Sequence, residues 1–128
     1  MSGPSPELSA FLTEPLLAVI GTVRRDGTVA LNPVWFEHAD GCFRLNSYDS
    51  ATWPRRVQRD GQASLLVIDP KDALRTAQAD CDLVGVQREG ARAHIDALSD
   101  RYLGHPYSGP HQQRLILVLR PRRMRSAL

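Results

Sequence analysis

The sequence predicts a small α+β domain, mainly β, in which five or six strands and two or three short helices build a barrel. Three observations predict it. Residues 16–36, LLAVIGTVRRDGTVALNPVWF, hold two apolar stretches around Arg24-Arg25-Asp26-Gly27, and Asp-Gly offers the positive φ of a hairpin turn. Further apolar runs of strand length recur at 42–47, 63–68, 74–86 and 115–119. Helix signals fill the gaps between them, and 128 residues suit one domain with a genuine core.

The elements follow in order. Ser5-Pro6-Glu7 reads as a helix start, with Ser5 as cap and Pro6 in the first position. Leu8, Phe11 and Leu12 share one face of that helix, and Pro15 ends the segment. In the first strand Leu17, Val19 and Val23 alternate with Leu16, Ala18 and Ile20. A strand apolar on both faces is expected inside a closed sheet or between two layers. The return strand runs over 28–36, and 38–41 is a second turn before a third strand at 42–47. Polar residues from Tyr48 lead into a helix beginning near Thr52 or Trp53 and stopping at Asp60-Gly61. Residues 63–68 form the most apolar strand, 69–72 a turn, and 74–86 a half-exposed strand. A helix over 88–103 places Ile95, Leu98 and Tyr102 on one face. Residues 104–110 are a loop by composition, and 115–119 are the last strand, ended by Pro121 and a basic tail. The chain is thus one domain over 1–128, with loose ends expected at 1–5 and 124–128.

Composition excludes several classes. No apolar run approaches the roughly 20 residues of a membrane helix, and the N-terminus lacks the pattern of a signal peptide. Cys42 and Cys81 form no CxxC and read as small buried apolar residues. A cytoplasmic protein without membrane contact is expected. Fifteen of the sixteen basic residues are Arg. This suits two-point binding of phosphate or carboxylate, though a compositional bias toward Arg codons accounts for the larger share. A net charge of +2 gives no argument for nucleic acid. Arg120, Arg122, Arg123 and Arg125 make only a short run, with Tyr107 the one aromatic residue nearby.

Pro33-Val34-Trp35-Phe36, the strand entry over 58–67 (QRDGQASLLV), Arg101-Tyr102-Leu103-Gly104 and the closing Arg-Pro-x-Arg carry a family likeness. Across about residues 10 to 125 the chain resembles the flavin and deazaflavin oxidoreductases, relatives of pyridoxamine 5′-phosphate oxidase, and most nearly their deazaflavin branch. The resemblance implies a six-stranded antiparallel split β-barrel that binds coenzyme F420, or alternatively FMN, in a groove at a homodimer interface. It implies hydride transfer to a small organic acceptor.

Family members place phosphate contacts after the third strand: a Ser or Thr, then Gly or Ser, then a basic residue at the helix start. Here Ser47 matches the first and Ser50 stands in for the second, ahead of Thr52, while the basic position falls on Trp53. Either Arg55 or Arg56 takes over the anion, Arg56 being nearer the Trp53 face of the helix, or Trp53 stacks on a ring or plugs the pocket. The alternative for these arginines and for Arg59 is a solvated helix face. The strand through Asn32, Pro33, Val34 and Trp35 is expected to pass the cofactor. Asn32 would donate to a ring carbonyl or satisfy a bulged backbone, and a Trp such as Trp35 is more often a core or dimer-interface residue than a ring contact, so its backbone comes before its side chain.

No side chains form a catalytic or metal constellation. The four histidines have no HxxxH or HxH spacing, and neither cysteine has a nucleophile's partner. The rival to the oxidoreductase is a non-catalytic barrel that holds haem or another planar ligand, or nothing. His105 and His111 are the candidate haem ligands.

Overall fold

The computed structural model describes residues 4–110 and 113–128. Its strands are β1 (Leu17–Val23), β2 (Val29–Val34), β3 (Phe36–Ala39), β4 (Cys42–Tyr48), β5 (Gln62–Asp69), β6 (Asp72–Gln87) and β7 (Arg114–Ala127). All pair antiparallel in one sheet of order β2-β1-β5-β6-β7-β4-β3. The edge strands β2 and β3 are consecutive in the chain, with only Trp35 between them. The sheet therefore closes through the covalent chain rather than through a hydrogen-bonded seam, which is a split barrel.

That break corrects the single return strand expected over 28–36 and raises the strand count from six to seven. Pro33 has no N–H to give a further partner and sits on an edge strand, where none is required. Trp35 turns out of the ladder and stacks on Tyr102, with ring centroids 5.4 Å apart and planes 9° from parallel. Tyr102 Oη donates to the Leu16 carbonyl (2.8 Å) and accepts from the Phe36 N–H (3.4 Å), joining both sides of the break. The second turn is shorter than expected. Asp40 and Gly41 carry it, both at positive φ, and His38 lies in β3.

Three helices, α1 (Pro6–Phe11), α2 (Thr52–Asp60) and α3 (Ala91–Leu103), cover the openings. Ser5 caps α1 by accepting from the Leu8 N–H at 3.1 Å. The helix expected from residue 88 begins at Ala91, after Gly90 in the left-handed conformation. Phe11, Phe36, Phe43, Val57, Leu115, Leu117 and Leu119 are fully buried inside the barrel. β7 is buried on both faces from Arg114 to Leu119, because Ile116 and Val118 pack with Ala91 and Cys42 on the outside.

Two further expectations change. Pro121 does not end the last strand: it pairs with Cys81 at a bulge, where a missing N–H is tolerated, and β7 runs on to Ala127. The basic tail is fastened rather than loose, since Arg122 pairs with Asp82 and Arg123 with Asp80, each at 2.6 Å. At the other end, the loose segment expected over 1–5 is capped helix start at Ser5, and residues 1–3 lie outside the described residues. β1 is not enclosed on both sides. Leu16, Ala18 and Ile20 are buried, but Leu17 and Val23 are exposed, as are Val29 and Leu31 beside them on β2. One apolar face of the hairpin lies open in the single chain.

Candidate functional site

Beneath the Trp35 break lies a slot of about 520 Å³. Pro33, Val34 and Trp35 form one side, and Ile95, Leu98 and Tyr102 of α3 another. The slot is a direct product of the split: turning Trp35 out of the ladder leaves a gap between β2 and β3, and α3 lines it with its buried stripe. Flat aromatic and aliphatic walls of this volume suit a planar ligand.

Trp53 stands between this slot and a second cavity of about 550 Å³, lining both together with Ser47 and Tyr48. The second cavity gathers Asn32, Ser50, Thr52, Arg24 and Arg56 around the start of α2. No side chain caps α2 and no acidic residue occupies its first turn, so its free amides and positive dipole end remain available to an anion. Beyond it a basic cleft of about 400 Å³ brings Arg24, Arg25, Arg55, Arg56 and Arg59 together. Arg24 is held there by donating to the Val29 carbonyl at 3.0 Å, and Arg59 donates to the Val23 carbonyl. Arg59 also pairs with Asp60 at 2.8 Å.

The opposite end of the slot is built differently. Arg114, at the entry of β7, lines the slot and is buried. Its Nε donates to Asn46 Oδ1 at 2.6 Å, and its guanidinium lies 5.0 Å from the centre of the Tyr107 ring. Asn46 Nδ2 donates to the Ala91 carbonyl (2.8 Å) and to His94 Nδ1 (3.0 Å). That leaves the His94 proton on Nε2, which donates to Glu37 Oε1 at 3.2 Å. Burial holds His94 below the ordinary histidine value, against the attraction of Glu37.

The chain matches the pyridoxamine 5′-phosphate oxidase family over residues 4–127. The chain belongs to the pyridoxamine 5′-phosphate oxidase family. Among solved structures it is similar to an F420 reductase, at 26% identity and a TM-score of 0.82, covering 91% of this chain and 94% of that one. It is also similar to a conserved hypothetical protein of Mycobacterium tuberculosis (20% identity, TM-score 0.76, 98% of this chain and 85% of that one). HupZ of Group A Streptococcus matches at 16% identity and a TM-score of 0.68, over 96% of this chain and 93% of that one. These last two share the fold. No curated protein matches the chain.

The slot and the α2 cavity share Ser47, Tyr48 and Trp53 and together form one candidate groove. Nine of the ten residues expected from sequence line it: Pro33, Val34 and Trp35 the slot, Asn32, Ser50, Thr52 and Arg56 the α2 end, Ser47 and Trp53 both. Arg55 is set aside, with its Nε donating to the Asp49 carbonyl (3.1 Å) and its side chain in the basic cleft. Asn32 has no bulge to satisfy, because β1 and β2 pair in unbroken register through it. His105 is exposed with Nδ1 donating to its neighbour Pro106, away from the slot, and His111 lies outside the described residues. Among the described residues no three His, Cys, Asp or Glu side chains converge as a metal site, and no helix is long and apolar enough to cross a membrane.

Sequence reasoning missed Arg24, Tyr48, Tyr107 and Arg114. Arg24 was legible only as part of a turn; pairing of β1 with β5 is what carries that turn to α2. Arg114 adjoins the apolar run 115–119, and only the tertiary fold shows that it is buried with it.

Proposed function

We propose that this chain is a cytoplasmic F420-dependent oxidoreductase, working as a homodimer and passing hydride to a small organic acceptor. The observation that carries the reading is the continuity of the groove. An apolar slot sized for a planar ring leads past Trp53 to the open start of α2 and then to five arginines. FMN ends at one phosphate. F420 carries a phosphodiester extended by lactate and glutamates, and an anionic tail of that length suits a cleft that continues beyond the first anion position.

The donor set fits the cofactor. Arg56 and Arg24, with Ser50 and the α2 amides, would hold the phosphate in place of the basic residue that Trp53 replaces, and Pro33, Val34 and Trp35 would bound the ring. When bound, a deazaflavin supplies the hydride. The chain binds and orients, and its apolar walls exclude water, which asks for no acid or base of its own. Dimerisation is supported by the open face of the hairpin. Leu17, Val23, Val29 and Leu31 are 55%, 44%, 59% and 69% exposed on one side of β1 and β2. Leu17 and Ile68 also line the slot, so a second subunit on this face would wall the groove.

Titration with F420 and with FMN, followed by cofactor fluorescence, tests the reading. F420 is expected to bind the more tightly, and light scattering is expected to give a dimer at micromolar concentration. No binding of either cofactor at high micromolar concentration overturns the oxidoreductase; a monomer overturns the shared groove.

A further inference from the structure

Arg114 is only 9% exposed, yet no carboxylate pairs with it among the described residues. Among the described residues its one side-chain hydrogen bond goes to a neutral amide, the Tyr48 and Tyr107 ring centres lie 5.7 and 5.0 Å away, and its Nη1 is buried without a partner. A buried cation with only neutral partners is costly unless something brings the opposite charge. It is also immobile. Asn46 uses both amide hydrogens and its oxygen on Ala91, His94 and Arg114, so the amide cannot turn and the guanidinium is held by it. Gly109 completes the clamp: a Cβ there would collide with the Tyr107 ring, so only glycine lets the loop set that ring against Arg114.

We propose that Arg114 binds the carboxylate of a planar organic acid lying at its own end of the slot, beside the place of the cofactor ring, and thereby sets the substrate class. A guanidinium gives a carboxylate charge-assisted hydrogen bonds, here from Nη2, since Nε is taken by Asn46 and Nη1 is buried, and the remaining walls, Trp35, Trp53 and Tyr102 among them, are aromatic and apolar. One cation in such a slot matches one negative charge on a flat apolar body. A phosphate monoester would leave its second charge unmatched. The inference rests on the proposed function only for the source of the hydride; the recognition of the acid belongs to the chain itself.

Cinnamate and cinnamamide, which differ in charge but hardly in shape, are suitable probes, read by tryptophan fluorescence with and without F420. Wild type is expected to bind the acid at least about tenfold more tightly than the amide, the ordinary advantage of one charge-assisted pair. Arg114→Gln should weaken the acid to the level of the amide, leave the amide unchanged, and leave F420 affinity unchanged. Arg114→Lys should restore part of the preference. Equal binding of acid and amide by wild type overturns the proposal, as does a preference that survives in Arg114→Gln. Displacement of F420 by cinnamate also overturns it, because the cation would then face the cofactor's place. Should Arg114→Gln fail to fold, the wild-type ratio and Arg114→Lys decide. Should F420 fail to bind at all, the oxidoreductase reading falls while the acid-to-amide ratio still judges Arg114.

Discussion

At the α2 end of the groove Arg24, Arg25 and Arg55 stand at the surface with Arg56 half-buried beside them, whereas at the far end a single Arg114 is buried and fixed by the neutral amide of Asn46. The residue type is the same and the physics is opposite. Exposed cations in water contribute modestly one by one, are screened by salt, and can substitute for each other. A buried cation keeps most of its field but must be positioned by every neighbour, so its environment is as consequential as its charge. The first arrangement tolerates a flexible, multiply charged chain. The second selects one group in one orientation. The proposed function, a long anionic cofactor held at one end and acceptors discriminated at the other, would need both.

The largest effect should come from disturbing the fixed end. Asn46→Leu removes the partner of Arg114 Nε, of the Ala91 carbonyl and of His94 Nδ1 at once. Buried polar groups left unpaired cost about 1–3 kcal/mol, more for a charged one, so a loss of about 3 kcal/mol by urea unfolding is expected. A loss under about 0.5 kcal/mol would mean that the network does not hold Arg114 in place, and the contrast between the two ends would collapse.

At the open end the order of effects reverses, with affinity changing and stability not. Arg56 makes no ion pair among the described residues and lines the cavity at the start of α2. Arg56→Ala should weaken a phosphate-bearing cofactor by about 1.5–3 kcal/mol, roughly ten- to a hundred-fold, with Tm almost unchanged. A lowered Tm with intact affinity would make Arg56 structural. Smaller again is Trp53→Lys, which restores a basic residue between the two cavities and should tighten the cofactor by about tenfold. Unchanged affinity, measured by quenching of cofactor fluorescence, would place the phosphate elsewhere.

The sequence carried much of this, though unevenly. The hairpin, the six apolar runs and the three helices were legible because period and turn chemistry are local. The break at Trp35 was not, since it depends on Tyr102 reaching two carbonyl and amide groups some sixty to ninety positions away. The continuation past Pro121 was hidden for a similar reason: a proline is admissible at a bulge, and the bulge exists only in the pairing with β6. At the candidate site, motif likeness pointed to the stretch Ser47 to Arg56, most of whose named residues line one cavity because they are near neighbours in the chain. It missed the other end, where Asn46, His94, Tyr107 and Arg114 come from four separate segments and meet only in the fold.

The smallest predicted effect is a pH dependence that isolates the fixed end. Burial lowers the histidine values of His94 and His38 from the unfolded value of 6.5, and Glu37 only partly offsets this at His94 while Arg44 adds to it. The sign follows from proton uptake. Below 6.5 the unfolded chain takes up protons that the folded chain refuses, so stability is fully present above that pH and is lost as pH falls toward the folded values. Asp69 and Asp80, whose values are lowered by hydrogen bonds and arginines, act in a separate window below about 4. At His94 the loss has a structural counterpart: a protonated Nδ1 can no longer accept from Asn46, and the amide that holds Arg114 loses a partner. His38 is independent of this, lying edge-on to Phe43 with centroids 4.9 Å apart. Wild type should therefore show a modest fall in Tm between pH 7 and pH 5.5, in steps of differential scanning calorimetry at constant ionic strength. His38→Phe should remove one part of the slope, and His94→Gln the other. Only the His94 part should be accompanied by weaker binding of cinnamate at the lower pH. A slope that persists in the double variant would place the proton uptake on other groups and detach the Glu37–His94–Asn46 chain from the positioning of Arg114.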